Sequence, residues 1–345
     1  MDYYAGLDVS LELTSVCLVN QQGEVVREAK VASEPEALVR FLNEQQLPIV
    51  RVALEAGPLS QWLHAGLDAA GFDAVLLETR HVKAALSAMT VKTDRRDARG
   101  IAQLLRLGWF RPVHVKSASA QEVRSVLTAR KLIQTKLLDI ESGIRGVLRG
   151  FGLKVGPISR GRFEARVSAL VHGHSMLEQV AGSMLTARSA LQTEFARLHR
   201  MILSLVRADP VCRQLMSVPG VGAIVAITFK SGIDDPGRFR RSRDVGPHFG
   251  LTPRKYQSGE KDVTGSISKV GDRMVRTALY EAASVMLSRT VRMSALKAWG
   301  MAVAKRRGGK KARVALARKL GVILHRMWVD GTHFRWTREA AAAMA

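Results

Sequence analysis

At 345 residues and 47% apolar content, the chain has the bulk for two or three globular domains and is too apolar for a disordered protein. Lysine and arginine total 53 against 30 acids, a formal charge of +23 that favours a polyanionic partner, because each phosphate neutralised releases a condensed counterion. No apolar run approaches the roughly 20 residues that span a bilayer, and Met1-Asp2-Tyr3-Tyr4 lacks the basic and apolar stretches of a signal peptide, so no membrane partner is expected. A basic protein lying on a membrane surface is the competing class. Cys17 and Cys212 form no CxxC pair and sit in apolar contexts, as reduced core thiols of a cytoplasmic protein do.

Residues 1–112 alternate strand and helix signals. Tyr3–Val9 and 14–20 are short runs rich in β-branched and aromatic residues. Gln21-Gln22-Gly23 turns the chain into a third strand over 24–29, completing an antiparallel meander. Helical spacing through Leu38, Phe41 and Leu42 predicts a helix over 34–47. A strand over 51–55, a helix over 59–70, a strand over 73–77 and a helix from about 93 to 107 follow. The order βββαβαβα is the one seen in ribonuclease-H-like domains.

Four acids gain meaning from that order. Asp8 closes the first strand and Glu55 the fourth, which would lie beside it, and open α/β sheets place ligands in the crevice outside strand ends. Asp94 and Asp97, in Lys92-Thr93-Asp94-Arg95-Arg96-Asp97-Ala98, are three residues apart and share a helix face. Two Mg²⁺ ions about 4 Å apart need several such carboxylates while they clamp the attacking and leaving oxygens of a phosphate. The alternative has Asp94 favouring a helix N-terminus beside a Thr93 cap, with Asp97 paired to Arg96 or Arg99. Asp2, Glu12, Asp68 and Glu78 read as surface charges.

Residues 113–207 read as helical. Stretches over 119–149 and 175–206 carry long apolar stripes and are separated by the Gly- and Pro-rich break 150–157, so a long antiparallel hairpin or coiled coil is expected. It serves either as a spacer or as a contact between protomers.

Residues 208–345 open on Val218-Pro219-Gly220-Val221-Gly222, which resembles the helix-hairpin-helix element of DNA-binding proteins. Gly220 and Gly222 there would let backbone N–H groups approach phosphate; an ordinary helix turn is the plain alternative. A polar, Gly- and Ser-rich stretch follows through Gly250-Leu251-Thr252-Pro253-Arg254, Gln257-Ser258-Gly259 and Ser268-Lys269-Val270-Gly271-Asp272-Arg273. It reads as a long functional loop. Arg254, Lys269 and Arg273 there, with Lys305, Arg306, Arg307, Lys310 and Lys311 in an acid-free cluster, are candidate nucleic-acid contacts.

Together Gly6-Leu7-Asp8-Val9-Ser10, Glu55, the 92–98 motif, Val218–Gly222 and the block from Gly250 to Arg273 resemble, in order and across essentially the whole chain, the DEDD transposases of the insertion-sequence "one-ten" family, which includes the Piv-type DNA invertases. The chain departs from the family pattern at Val245-Gly246-Pro247-His248, where an apolar helix usually continues. The resemblance implies an α/β plus α architecture: a RuvC-like, ribonuclease-H-like N-terminal domain, a helical coiled-coil middle and a mostly helical C-terminal transposase domain. It implies that Asp8, Glu55, Asp94 and Asp97 form a Mg²⁺-binding tetrad, and that a serine is the nucleophile. Ser258 best fits the family's Ser-Gly position, with Ser266 and Ser268 nearby as alternatives. It further implies donor and target DNA, a guide (bridge) RNA, a dimer or tetramer whose sites combine acids and serine from different protomers, and a nucleoid-associated location. A RuvC-like endonuclease using water as nucleophile, a sugar-kinase-like ATP enzyme and a non-catalytic nucleic-acid-binding protein are the competing readings.

Overall fold

A computed structural model describes residues 1–87 and 91–336, so the segments expected over 1–112 and 208–345 each include residues outside the described ones. The chain divides into two compact units, Met1–Lys116 and Ser117–Ala345. In the first, β1 (Tyr3–Val9), β2 (Leu13–Asn20) and β3 (Val25–Ala32) form the antiparallel meander. Helix α1 (Pro35–Glu44), β4 (Ile49–Glu55), α2 (Ser60–Ala69) and β5 (Ala74–Leu77) complete a five-stranded sheet of order β3-β2-β1-β4-β5. β4 pairs parallel to β1, and β5 parallel to β4. This is the ribonuclease-H-like order expected of the element sequence.

Side-chain alternation decides which helix covers which face. Ala5, Leu7, Val52 and Leu54 pack with Leu38 and Leu42 of α1 and Leu63 and Leu67 of α2. Tyr4, Cys17, Val19, Ala53 and Leu77 point the other way, toward α3 (Thr79–Leu86) and α4 (Asp94–Arg106). α3 was not expected: it is only eight residues long, and although Val82, Ala85 and Leu86 have helical spacing, only Val82 is fully buried. α4 starts where its motif predicts, with the Thr93 hydroxyl accepting a 3.3 Å hydrogen bond from the Arg96 N–H.

One missing side chain sets how closely α4 approaches. A Cβ on Gly6 would lie 2.3 Å from both the Ala102 nitrogen and the Ala98 oxygen. Gly6 therefore lets the α4 backbone rest on β1, with Ala98 and Ala102 as the small residues of that contact.

The second unit begins with α5 (Ala118–Arg149), α6 (Phe163–Val171) and α7 (Ser175–Ala208). At 32 and 34 residues, α5 and α7 each run roughly 50 Å at about 1.5 Å per residue. Leu127 joins Ile202 and Val206 in one cluster, whereas Ile144 and Leu148 join Ala181 and Leu185 in another, so the pair is antiparallel. α6, which lacks a long apolar stripe of its own, closes the second cluster through Phe163, Val167 and Val171. Arg188 is buried there. It forms a 2.9 Å ion pair with Glu141, donates to the Arg160 carbonyl and lies 4.8 Å from the Phe163 ring centroid.

Helices α8 (Pro210–Leu215) and α9 (Ala223–Ile233) flank the Pro219–Gly222 turn. Then come the four-residue α10 (Val245–His248), strands β6 (Pro253–Ser258) and β7 (Lys261–Ile267), and helices α11 (Arg273–Ser288), α12 (Ala295–Arg307) and α13 (Gly309–Asp330). The departure at 245–248 is thus a short helix. The stretch expected to be a long loop contains an antiparallel hairpin, turning at Gly259 with φ +55°. Nearly every hairpin residue is exposed, so no apolar alternation marked it as strand.

Replacing Gly6 with Ala is expected to cost about 1–3 kcal/mol or more by overpacking, read as a lower urea midpoint for the full chain; an unchanged midpoint would show that α4 does not rest on β1.

Candidate active site

The sheet and α4 converge on the expected acids. Leu7 of β1 is in register with Leu54 of β4, so the next residues, Asp8 and Glu55, leave the same end of the sheet. Asp8 follows Tyr4 and Gly6 by alternation, and Glu55 follows Ala53, which puts both carboxylates on the face that α4 covers. Asp94 and Asp97 lie in the first turn of α4, immediately before the Ala98 that touches Gly6. The charge of Asp97 acts on both Asp8 and Glu55, and that of Asp94 on Asp8.

The arginines of the motif are engaged elsewhere. Arg95 and Arg99 both bind Glu28 of β3, Arg99 at 3.1 Å. Glu28 lies opposite Cys17 in the β2–β3 ladder, hence on the α4 face. The Arg95 hydrogen bond, with Arg99 beside it, holds the Glu28 carboxyl below its ordinary range. Arg96 reaches the Val91 carbonyl at 3.5 Å. The pairing of Asp97 with Arg96 or Arg99, weighed from the sequence, is therefore not what forms. Instead Asp97 has Lys92 at 4.0 Å and Asp94 has Lys30 at 3.9 Å, all but Asp97 well exposed. Glu28 and Lys92 were missed as site neighbours, although the i,i+4 spacing of Arg95 and Arg99 offered a signal for an acid facing them.

In the second unit, Ser258 ends β6 opposite Lys261, and its side chain is exposed. Ser266 is exposed on β7, while half-buried Ser268 gives its N–H to the Thr252 carbonyl at 2.9 Å. Arg254 donates to the Ser268 carbonyl at 3.4 Å and stays exposed, as do Lys269 and Arg273. Lys305, Arg306 and Arg307 end α12 and Lys310 and Lys311 begin α13, all exposed around Gly308. Gly220, at φ +86°, packs against α11, since a Cβ there would meet the Ala282 carbonyl at 2.4 Å; a Cβ on Gly222 would meet nothing within 4 Å. Packing thus accounts for Gly220 without any ligand. Among the described residues, no helix is long and apolar enough to cross a membrane.

Two transposase family models match the chain. One, for DEDD transposases of the IS110 type, covers residues 5–152, and the other, described as the transposase IS116/IS110/IS902 family, covers residues 212–299. The chain is a DEDD transposase of the IS110 family. The transposase for insertion sequence element IS1111A of Coxiella burnetii is 26% identical over 92% of this chain and 87% of its own length. A Pseudomonas aeruginosa protein named as a probable family 20 transposase is 28% identical over 96% of this chain and 98% of its own. Among solved structures, a Thermus thermophilus RuvC in complex with a Holliday junction substrate aligns with 33% of this chain and all of its own at 14% identity and a TM-score of 0.26. At that score the fold assignment rests on the sheet order itself.

The acid cluster of this transposase is electrostatically unsettled. Burial, then the charges of Asp97, Asp94 and Glu55, pushes Asp8 up to about 6, against a smaller opposing effect of Lys92. Burial, with Asp97 adding to it, also raises Glu55 above the ordinary carboxylate range, while a hydrogen bond from Thr79 opposes the shift. Among the described residues no three His, Cys, Asp or Glu side chains converge closely enough to hold a metal ion by themselves. The donor set still suits a hard cation: it is all carboxylate, mutually repelling, and matched only by exposed lysines at the limit of contact.

A carboxyl with a raised folded-state pKa stabilises the fold at low pH and loses that contribution as pH rises through its folded value. In EDTA, the stability advantage of Asp8→Asn over wild type is expected to grow between pH 5 and pH 7, measured by urea denaturation. A constant difference across that range would contradict the like-charge cluster.

Proposed function

We propose that the transposase cleaves and rejoins DNA with Ser258 as nucleophile and with Asp8, Glu55, Asp94 and Asp97 holding two Mg²⁺ ions. The observation that carries this reading is the unbalanced carboxylate cluster, in which Asp8 is pushed to about 6 by burial and by the other three acids within an otherwise strongly cationic chain. Bound Mg²⁺ supplies Lewis-acid stabilisation of the charge that develops on the reacting phosphate. Asp8 and Glu55 anchor the cluster from adjacent strand ends, and α4 contributes the other two acids from a helix that cannot slide because Gly6 and Glu28 hold it. This division gives two carboxylates on the rigid sheet and two on a helical turn.

In the covalent step, the Ser258 oxygen forms a bond to phosphorus as the ester bond to the leaving strand breaks. The hydroxyl proton passes to solvent, and the departing oxygen takes one up. One phosphate ester replaces another, so attack by a new strand end reverses the step and rejoins DNA without a high-energy cofactor. Ser258 stands next to a turn on an exposed hairpin, where an extended phosphodiester has access. Exposure also means that its hydroxyl must be activated at the moment of reaction, since serine is a weak nucleophile at its ordinary pKa.

The reading extends to partners. The +23 charge and the exposed cations at 254, 269, 273, 305–307, 310 and 311 support binding of donor and target DNA and of a guide RNA. A homo-oligomer then places the serine of one copy with the acids of another.

Trapping the protein–DNA adduct tests the chemistry. Wild type with Mg²⁺ is expected to give a phosphoserine linkage that mass spectrometry maps to Ser258, with Ser258→Ala and Asp97→Asn each lowering the yield at least about 100-fold. Strand cleavage by Ser258→Ala at the wild-type rate, with no adduct in either protein, would instead point to water as nucleophile.

A further inference from the structure

The register of the β6–β7 hairpin sorts its side chains onto two faces. Tyr256 pairs with Val263, and Ser258 with Lys261. Residues two apart on a strand share a face, so Tyr256, Ser258, Lys261 and Val263 stand together, while Lys255, Gln257 and Asp262 stand on the reverse. The reverse face is satisfied within itself by a 3.1 Å ion pair between Lys255 and Asp262. The serine face is not. Tyr256 is 64% exposed and Val263 58% exposed, an aromatic and a branched aliphatic side chain adjacent on a surface that water covers. Among the described residues no acid pairs with Lys261, whose Cβ lies about 5 Å from that of its cross-strand partner Ser258.

These four residues have the chemistry of a strand-gripping surface. A two-stranded ribbon fits a nucleic-acid groove, an exposed aromatic ring stacks on a base of any sequence, and an unpaired ammonium neutralises a phosphate. We propose that this face grips the DNA strand at the reacting phosphodiester: Tyr256, backed by Val263, stacks on the base beside the phosphate that Ser258 attacks, and Lys261 neutralises that phosphate. The inference rests on Ser258 as the nucleophile. Tyr256 and Lys261 then act as positioning residues of the covalent step, and charge complementarity selects DNA over a protein partner for this face.

The test uses the full-length protein and the duplex on which wild type forms its adduct, with 5-iododeoxyuridine at the positions flanking the cleaved phosphate. Tyr256→Ala and Lys261→Ala are each expected to slow adduct formation about tenfold or more, the loss of one stacked base or one phosphate contact. Tyr256→Trp and Lys261→Arg should restore it, and photo-crosslinks should map to Tyr256. Both side chains are exposed, so none of the four variants threatens the core. Wild-type rates in both alanine variants while Ser258→Ala is inactive would overturn the inference alone. Equal losses in the alanine and conservative variants would do the same, because a structural effect would then explain them. An adduct retained in Ser258→Ala would remove the nucleophile assignment, and the inference with it.

Discussion

The contact between the α4 backbone and Gly6 of β1 is the constraint on which the rest of the first unit depends. Three features meet there. The strand has no side chain at that point, the helix presents only Ala98 and Ala102, and the Cys17–Val19 edge of β2 closes the contact from the side. A side chain on Gly6 would lie 2.3 Å from backbone atoms of α4, so the helix itself would have to move. Because Asp97 directly precedes Ala98, the same contact determines where the α4 carboxylates fall relative to the strand ends. Glu28 adds a second tether through Arg95 and Arg99, so the helix is fixed in height by packing and in position along the sheet by charge.

Such a fixed helix creates an energetic conflict. Half-buried Asp8 feels the charges of Asp97, Asp94 and Glu55, and Glu55 that of Asp97, while Lys30 and Lys92 sit at the limit of ion-pair distance from Asp94 and Asp97. A fold selected only for stability would have removed some of these acids or turned the neighbouring arginines toward them. Instead Arg95 and Arg99 are committed to Glu28. Strain of this kind belongs at functional sites, where a ligand resolves it. Under the proposed function, a divalent cation is what would resolve it, and the exposed lysines and arginines would meet the phosphates on which that cation acts.

Much of this was legible in the sequence because burial leaves a periodic imprint. Tyr3–Val9 reads as a strand from its residue types and ends where the structure ends it, and Thr93 announces the start of α4. The adjacency of Asp8 and Glu55 followed from element order alone, since the parallel partner of the first strand in such a sheet is the fourth. The same logic explains the failures. The β6–β7 hairpin is solvated on both faces, so nothing apolar alternates, and its turn glycine looks like any loop glycine. α3 is eight residues long, so its apolar spacing through Val82, Ala85 and Leu86 spans little more than one turn. Glu28 acts through strand register, a property of two strands that neither one encodes by itself. Gly6 was visible as part of a motif, but its role as the seat of α4 depends on a helix more than ninety residues away.

The claim that this packing assembles a metal site is best tested by electron paramagnetic resonance of Mn²⁺ added to the full-length protein, with Mn²⁺ standing in for Mg²⁺. Wild type is expected to bind Mn²⁺ that excess Mg²⁺ displaces, and Asp8→Asn, Asp97→Asn and Gly6→Val alike to lose most of that signal, although the last changes no carboxylate. Binding that persists unchanged in all three variants would contradict it.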